Sequence, residues 1–315
     1  MTFKYNGFEF ERNEDGLCLR KYRGKSKKVK IPSHIDNEPV VSIGDRAFEG
    51  GKLKSVTIPN SIKEIGRGAF RGNMLTKIEI PNNVERIGNW AFANNNLTRL
   101  IMFDGVKEIG TGTFSNNYLT EIIIPNSVKT IEASAFKKNY ISKAVLPSSI
   151  EIIEGMAFQD NNLTEISIPD GIKKIEMSVF QDNNLNKVII PDGVIKIEPE
   201  AFRNNNLTEV TIPDNVKELG GYAFANNGLT KVTLPENMEI DEGLDNIGDV
   251  IDIYSLGDYT HQIRKDYEQN KRQASIYVWN EEKKEWQNQL KQLLADRGEK
   301  NLDKLRCDKN TSMTL

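Results

Sequence analysis

The apolar and polar positions of this chain recur with a single period. Ala201 to Tyr222 reads AFRNNNLTEVTIPDNVKELGGY, and the copies before it keep that skeleton. Each has a small residue and Phe, a polar cluster, Leu-Thr or a close variant, alternating apolar residues, a proline in most, and two more apolar positions. The aromatic marker stands at Phe48, Phe70, Phe92, Phe114, Phe136, Phe158, Phe180, Phe202 and Phe224, a step of 22 residues without insertion. Self-similarity at a fixed period of this length predicts stacked supersecondary units, each unable to bury its apolar face alone.

The columns of the repeat predict the path of each coil. Five residues after each Phe stand Leu53, Leu75, Leu97, Leu119, Ile141, Leu163, Leu185, Leu207 and Leu229. Pairs such as Ile78 and Ile80, Ile166 and Ile168, or Val210 and Ile212 follow. This is the L-x-x-I-x-I strand segment of a leucine-rich repeat. Period-two alternation puts both members of each pair on one face, pointing inward. Proline ends the segment in most copies, since it cannot donate to a ladder. A second apolar pair, such as Val84 and Ile87, returns the chain to the core, and each Phe is expected to stack on the next. Three residues after the Phe the column holds only asparagine from Asn73 to Asn227. An amide carries two donors and an acceptor, so it can satisfy turn backbone in its own and the adjacent coil.

The outward positions follow from the same alternation. One column reads Lys77, Arg99, Glu121, Lys143, Glu165, Lys187, Glu209, Lys231, alternating in sign after its first two members. Lateral pairing of these charges would make a self-satisfied ladder. The next outward column reads Thr57, Glu79, Ile101, Ile123, Val145, Ser167, Ile189, Thr211, Thr233. Its three successive apolar members form a block, to which Phe103 adds, standing where most copies place Pro. Arg99, Ile101, Phe103, Glu121, Ile123, Lys143 and Val145 are therefore the candidate partner-binding residues. Pro125 and Pro147 are expected to extend the surface.

The flanks differ from the array. Residues 1–31 read as a β-rich cap: Asn6-Gly7 between alternating aromatics signals a hairpin, and another strand is expected after Asp15-Gly16. The basic stretch from Arg20 to Lys30 reads as a solvated strand edge, where lysines oppose edge-to-edge pairing. The array spans residues 32–240. Residues 241–315 read as a small α+β cap or tail. In it Tyr259, Ile263 and Tyr267 have helical spacing, Ala274 to Trp279 reads as a strand, and Trp286, Leu290, Leu293 and Leu294 form a helical stripe.

Composition narrows the function. The chain has 315 residues and a net charge of −3, so it is no generic polyanion binder, and no nucleic-acid partner is expected. The two cysteines, Cys18 and Cys307, cannot form a disulfide framework. No apolar run is long enough for a membrane span. Read as it stands, without a signal peptide, the sequence predicts a cytoplasmic chain. His34 and His261 are the only histidines, and no zinc spacing, phosphate loop or nucleophile elbow occurs. No enzyme, metal or cofactor is expected.

The pattern IPNSIKEIGRGAF followed by LTKIEIP resembles the BspA-like class of bacterial leucine-rich repeats. The resemblance covers about residues 20 to 240, including an opening, KYRGKSKKVKIPSHIDNEPVVSIGDRAF, similar to the way such arrays begin. It implies a binding scaffold rather than a catalyst, with an adhesin-like role at the cell surface or after secretion. The expectation is thus a right-handed leucine-rich-repeat β-solenoid of about nine to ten coils that binds a protein partner through its strand face. A structural, self-associating solenoid is the alternative.

Overall fold

The computed structural model of the chain describes residues 2–235, 239–240, 275–280 and 285–288. They build a β-solenoid of about ten coils with a 22-residue period, and among the described residues every regular element is a strand. Each coil contributes two short strands and one hydrogen-bonded corner. The first, such as Lys77–Ile80 or Glu209–Thr211, lies on what we term the strand face. The second, usually two residues such as Arg86–Ile87 or Thr130–Ile131, lies on a second face. The corner carries the Phe and Asn columns.

That corner holds the stack together. The nine repeat phenylalanines are buried and stack coil on coil, with ring centroids 4.9–5.8 Å apart and planes within 18° of parallel. Burying each ring contributes about 1.5–3 kcal/mol relative to exposure. Each column asparagine bridges two coils. The Asn139 Oδ1 accepts from the Leu119 N–H (3.1 Å), while its Nδ2 donates to the carbonyls of Phe114 and Phe136, both at 3.0 Å. The amides therefore bond backbone and not one another, so the ladder runs through main-chain groups that would otherwise be buried unpaired. Two residues before and after most of the phenylalanines the backbone is left-handed, as at Trp90 (φ 57°) and Asn94 (φ 55°). For residues other than Gly this costs about 1–2 kcal/mol each. Coil-to-coil bonds such as Phe92 N–H to the Thr113 carbonyl (2.9 Å) help offset it.

The two strand faces are organised differently. On the second face, Glu38–Ile43 begins a parallel ladder that runs through Glu64–Ile65, Arg86–Ile87, Glu108–Ile109 and Thr130–Ile131 to Ile152–Ile153. After one break it resumes at Lys174–Ile175 and continues to Glu239–Ile240. On the strand face the coils pair two by two: Lys28–Lys30 with Ser55–Thr57, Lys77–Ile80 with Arg99–Met102, Glu121–Ile123 with Lys143–Val145, Ser167 with Ile189, and Glu209–Thr211 with Lys231–Leu234. No ladder joins one pair to the next among the described residues.

The N-terminal strands Thr2–Tyr5, Phe8–Asn13 and Gly16–Tyr22 form an antiparallel meander that extends the second face through Glu38–Ile43. Its first turn is the expected Asn-Gly hairpin, with φ of 47° at Asn6 and 80° at Gly7, values suited to a type I′ turn. Phe8 and Tyr22 pack on Phe48 and close the end of the aromatic stack. The basic stretch is exposed but not unpartnered: the ladder from Gly16–Tyr22 to Glu38–Ile43 covers only Leu17 to Leu19, and the exposed Arg20 and Arg23 form ion pairs with Glu11 and Glu9. Only Lys28–Lys30 lies at an edge of the strand face.

Beyond the array, Ser275–Asn280 pairs antiparallel with Lys231–Leu234, and Glu285–Asn288 pairs with Ser275–Asn280. The predicted strand at 274–279 is present within a residue. Trp286, expected to open a helical stripe, lies instead in the second of these strands, opposite Trp279. Cross-strand pairing with Ser275–Asn280 overrides the local helical period. The rest of that stripe and the helical spacing at Tyr259 to Tyr267 lie outside the described residues.

Candidate interaction surface on the strand face

Alternation places the candidate residues as follows. Ile123 and Val145 are direct ladder partners, both exposed, with Ile123 at 70%. Glu121 and Lys143 are likewise opposite each other and exposed. Ile101 belongs to the preceding pair, opposite Glu79, and is half-buried; Arg99 is opposite Lys77 and exposed. Phe103 is 46% exposed, and its N–H donates to the Ile80 carbonyl (3.3 Å), so the ring caps the end of its strand instead of turning inward. Ile101 and Phe103 thus lie across a ladder break from Ile123 and Val145. Pro147 does not extend this surface: it is buried, and Pro125 is half-buried. A proline ending each strand turns toward the core because the chain bends inward there to begin the second face.

The apolar path continues where the sequence block stopped. Ser167 follows Val145 in the column, and Ile189, 70% exposed, follows Ser167 as its bridge partner. The small serine between larger neighbours leaves a groove of about 540 Å³, rimmed by Lys143, Glu165, Asp170 and Lys187. Ile189 was visible in the same column, but the intervening Ser167 made it look isolated. The serine is what makes the depression.

The outward charges do not form the expected ladder. Glu121 and Lys143 face each other, as do Glu209 and Lys231, yet no ion pair among the described residues joins any Glu–Lys pair of this column. At strand spacing, flexible exposed side chains gain little by closing such a contact.

On the second face the charges do pair. Lys174 reaches Glu198 at 2.7 Å and Glu176 at 3.2 Å, and Lys196 reaches Glu218 at 2.6 Å and Glu198 at 3.3 Å. Partial burial alone would raise the Glu198 carboxyl, but Lys174 and Lys196 together hold it below the usual carboxylate range. Further along, the Glu132 Oε2 accepts from the N–H and the hydroxyl of Thr111, both at 2.7 Å. Beside it the Glu108 carboxyl is raised by its contact with Glu132, and Glu132 is lowered by Glu108 and by its bonds from Thr111. Among the described residues no cluster of His, Cys, Asp or Glu is placed to hold a metal ion, and no helix is long and apolar enough to cross a membrane.

Residues 22–142 and 129–244 match the BspA-type leucine-rich repeat region, with six copies. The chain belongs to the BspA-type leucine-rich repeat family. Among solved structures it is similar to a leucine-rich cell surface protein from Faecalibacterium prausnitzii, with 25% identity over 74% of this chain and 76% of that one and a TM-score of 0.54. It is also similar in fold to the pneumococcal vaccine antigen PcpA, with 19% identity over 75% of this chain and 82% of that one and a TM-score of 0.50. No curated protein matches the sequence. In this BspA-type chain the Asn corner and the Phe stack are the scaffold, and what varies from coil to coil is the outward chemistry of the strand face.

Proposed function

We propose that this BspA-type array is a non-catalytic scaffold that binds a protein partner through its strand face. The occupant is an extended segment of the partner whose apolar side chains lie along Ile123, Val145 and Ile189. The observation that carries the reading is that path itself: two isoleucines each 70% exposed, a groove between Val145 and Ile189, and a rim of charges that have no ion-pair partner among the described residues. Contiguous apolar exposure of this kind marks an interaction surface, whereas scattered surface isoleucines do not. Free rim charges of both signs supply orientation more than affinity. The likeness to a cell surface protein favours the outside of the cell over the cytoplasm as the setting, and protease treatment of intact cells tests that placement.

A photo-reactive side chain at Ser167, with Glu151 on the second face as the control position, tests the binding reading. Cross-linking of a foreign protein from Ser167 alone is the expected result. A product with twice the mass of this chain supports the self-associating alternative. Equal yields from both positions would remove the strand face from the account.

A further inference from the structure

A second surface departs from the repeat in a different way. In the column four residues after each Phe stand Lys52, Met74 and Asn96 and, further along, Asn162, Asn184, Asn206 and Gly228, but two adjacent coils between them carry Tyr118 and Tyr140. The two rings stack with centroids 5.7 Å apart and planes within 7°. They are 49% and 52% exposed. Their backbones are fixed, since the N–H of Tyr118 donates to Leu97 and that of Tyr140 to Leu119, both at 2.9 Å. Because coils stack in order, the Tyr140 face turned away from Tyr118 looks toward the coil of Asn162.

The neighbouring column changes over the same coils. Two residues after the Phe stand Gly50, Gly72 and Asn94 before this stretch, and Asn204 and Asn226 after it. These are the residues most at ease with left-handed φ. Within the stretch Lys138 (φ 57°) adopts that conformation although it lacks a short polar side chain, between Asn116 (φ 54°) and the aspartates Asp160 (φ 59°) and Asp182 (φ 56°). A chain of side-chain bonds runs from Asn226 to Asn204 (2.6 Å) and on to Asp182, and stops there. Among the described residues Asn116, Lys138, Asp160 and Asn162 have no side-chain hydrogen-bond or ion-pair partner, whereas Asp182 and Asn204 do. Together with the tyrosines they line an open groove of about 580 Å³.

We infer that this groove binds a neutral oligosaccharide. A sugar ring presents a face of C–H groups, which packs on an exposed aromatic face, and a rim of hydroxyls that both donate and accept. Tyr140 supplies the flat face, held rigid by Tyr118 and therefore ordered before binding. Asn116, Lys138, Asp160 and Asn162 supply both donors and acceptors, free of internal partners. Lys138 against Asp160 and Asp182 leaves little net charge, which disfavours strongly ionic ligands. The row crosses several coils, so the ligand is a chain of sugars rather than one. This site does not depend on the strand-face reading, since none of its residues is shared with the path from Ile123 to Ile189.

The test uses the full chain and a panel of hexasaccharides of glucose, N-acetylglucosamine, xylose and mannose, read by saturation-transfer NMR and calorimetry. At least one member should bind, with Tyr140→Ala and Tyr118→Ala each weakening it tenfold or more and Asp160→Ala severalfold. Ile189→Asp should leave sugar binding unchanged. Thermal melting verifies that each variant is folded. The inference is overturned if no hexasaccharide binds the wild type, or if one binds equally well to the folded tyrosine variants.

Discussion

The strand face and the second face of this solenoid are built from the same 22-residue unit, yet they are finished differently. The second face has long runs of parallel ladder and charges closed into pairs, from Arg86–Glu64 to Lys196–Glu218. Among the described residues the strand face pairs its coils two at a time, leaves its Glu and Lys column without ion pairs, and exposes Ile123 and Ile189. One surface satisfies itself; the other keeps its outward groups available. In a repeat protein the core columns must stay constant for stacking, so it is a difference of this kind between faces, and not the core, on which the proposed binding role rests.

The largest expected effect lies at the corner that both faces share. Asn139→Ala removes three bonds that tie two coils, and unsatisfied buried groups cost about 1–3 kcal/mol each. We expect a loss of roughly 3 kcal/mol by urea unfolding, with Thr120→Ala on the exposed surface near zero. Equal losses would mean that the amide is not what holds the faces in register.

A smaller effect separates the faces by charge. Glu198→Gln cuts the chain of ion pairs between Lys174 and Lys196 and should cost about 0.5–1 kcal/mol, whereas Glu165→Gln on the strand face should cost almost nothing. The sign with pH follows from Glu198 being held below the usual carboxylate range. Its contribution is complete above the ordinary carboxylate value and is lost as pH falls through the depressed folded value. Glu198→Gln should therefore flatten the acid limb of the stability profile, and Glu165→Gln should leave that limb unchanged. An acid limb altered equally by both would contradict the difference between the faces.

The smallest effect is local. The Ser142 and Asn186 amides donate across a coil pair, to Thr120 and Thr164, at 2.9 and 3.1 Å, while the amides of Thr120 and Thr164, at the junctions between pairs, make no such bond. Hydrogen exchange should be at least tenfold faster at the junction amides. Uniform protection along the strand face would mean that its ladder is as continuous as that of the second face.

Much of this was legible in the sequence because the period forces it. Phe, Leu (once Ile, at Ile141) and Asn recur where stacking demands them, and alternation fixed Ile123 and Val145 as outward partners. The pairing of coils was less visible, although the Glu-then-Lys order from Glu121 onward follows it: each charge pair falls within one ladder unit. Ser167 hid the groove because a polar residue reads as an interruption, whereas sterically it is a gap between Val145 and Ile189. Pro147 is buried because the bend into the second face carries it inward, which a two-residue period does not encode. Trp286 fits a helical stripe in its local sequence and becomes a strand residue through pairing with Trp279, a tertiary contact beyond the reach of spacing.

The central claim is that the strand face, and not the second face, holds the partner. Each face offers two exposed isoleucines, Ile123 and Ile189 on one and Ile152 and Ile195 on the other. The decisive measurement is the affinity of the partner cross-linked at Ser167 for two double variants, Ile123→Asp with Ile189→Asp, and Ile152→Asp with Ile195→Asp. The account predicts at least a hundredfold loss for the first, about 2.7 kcal/mol, and less than a twofold change for the second. Equal losses, or a loss confined to the second pair, would contradict it.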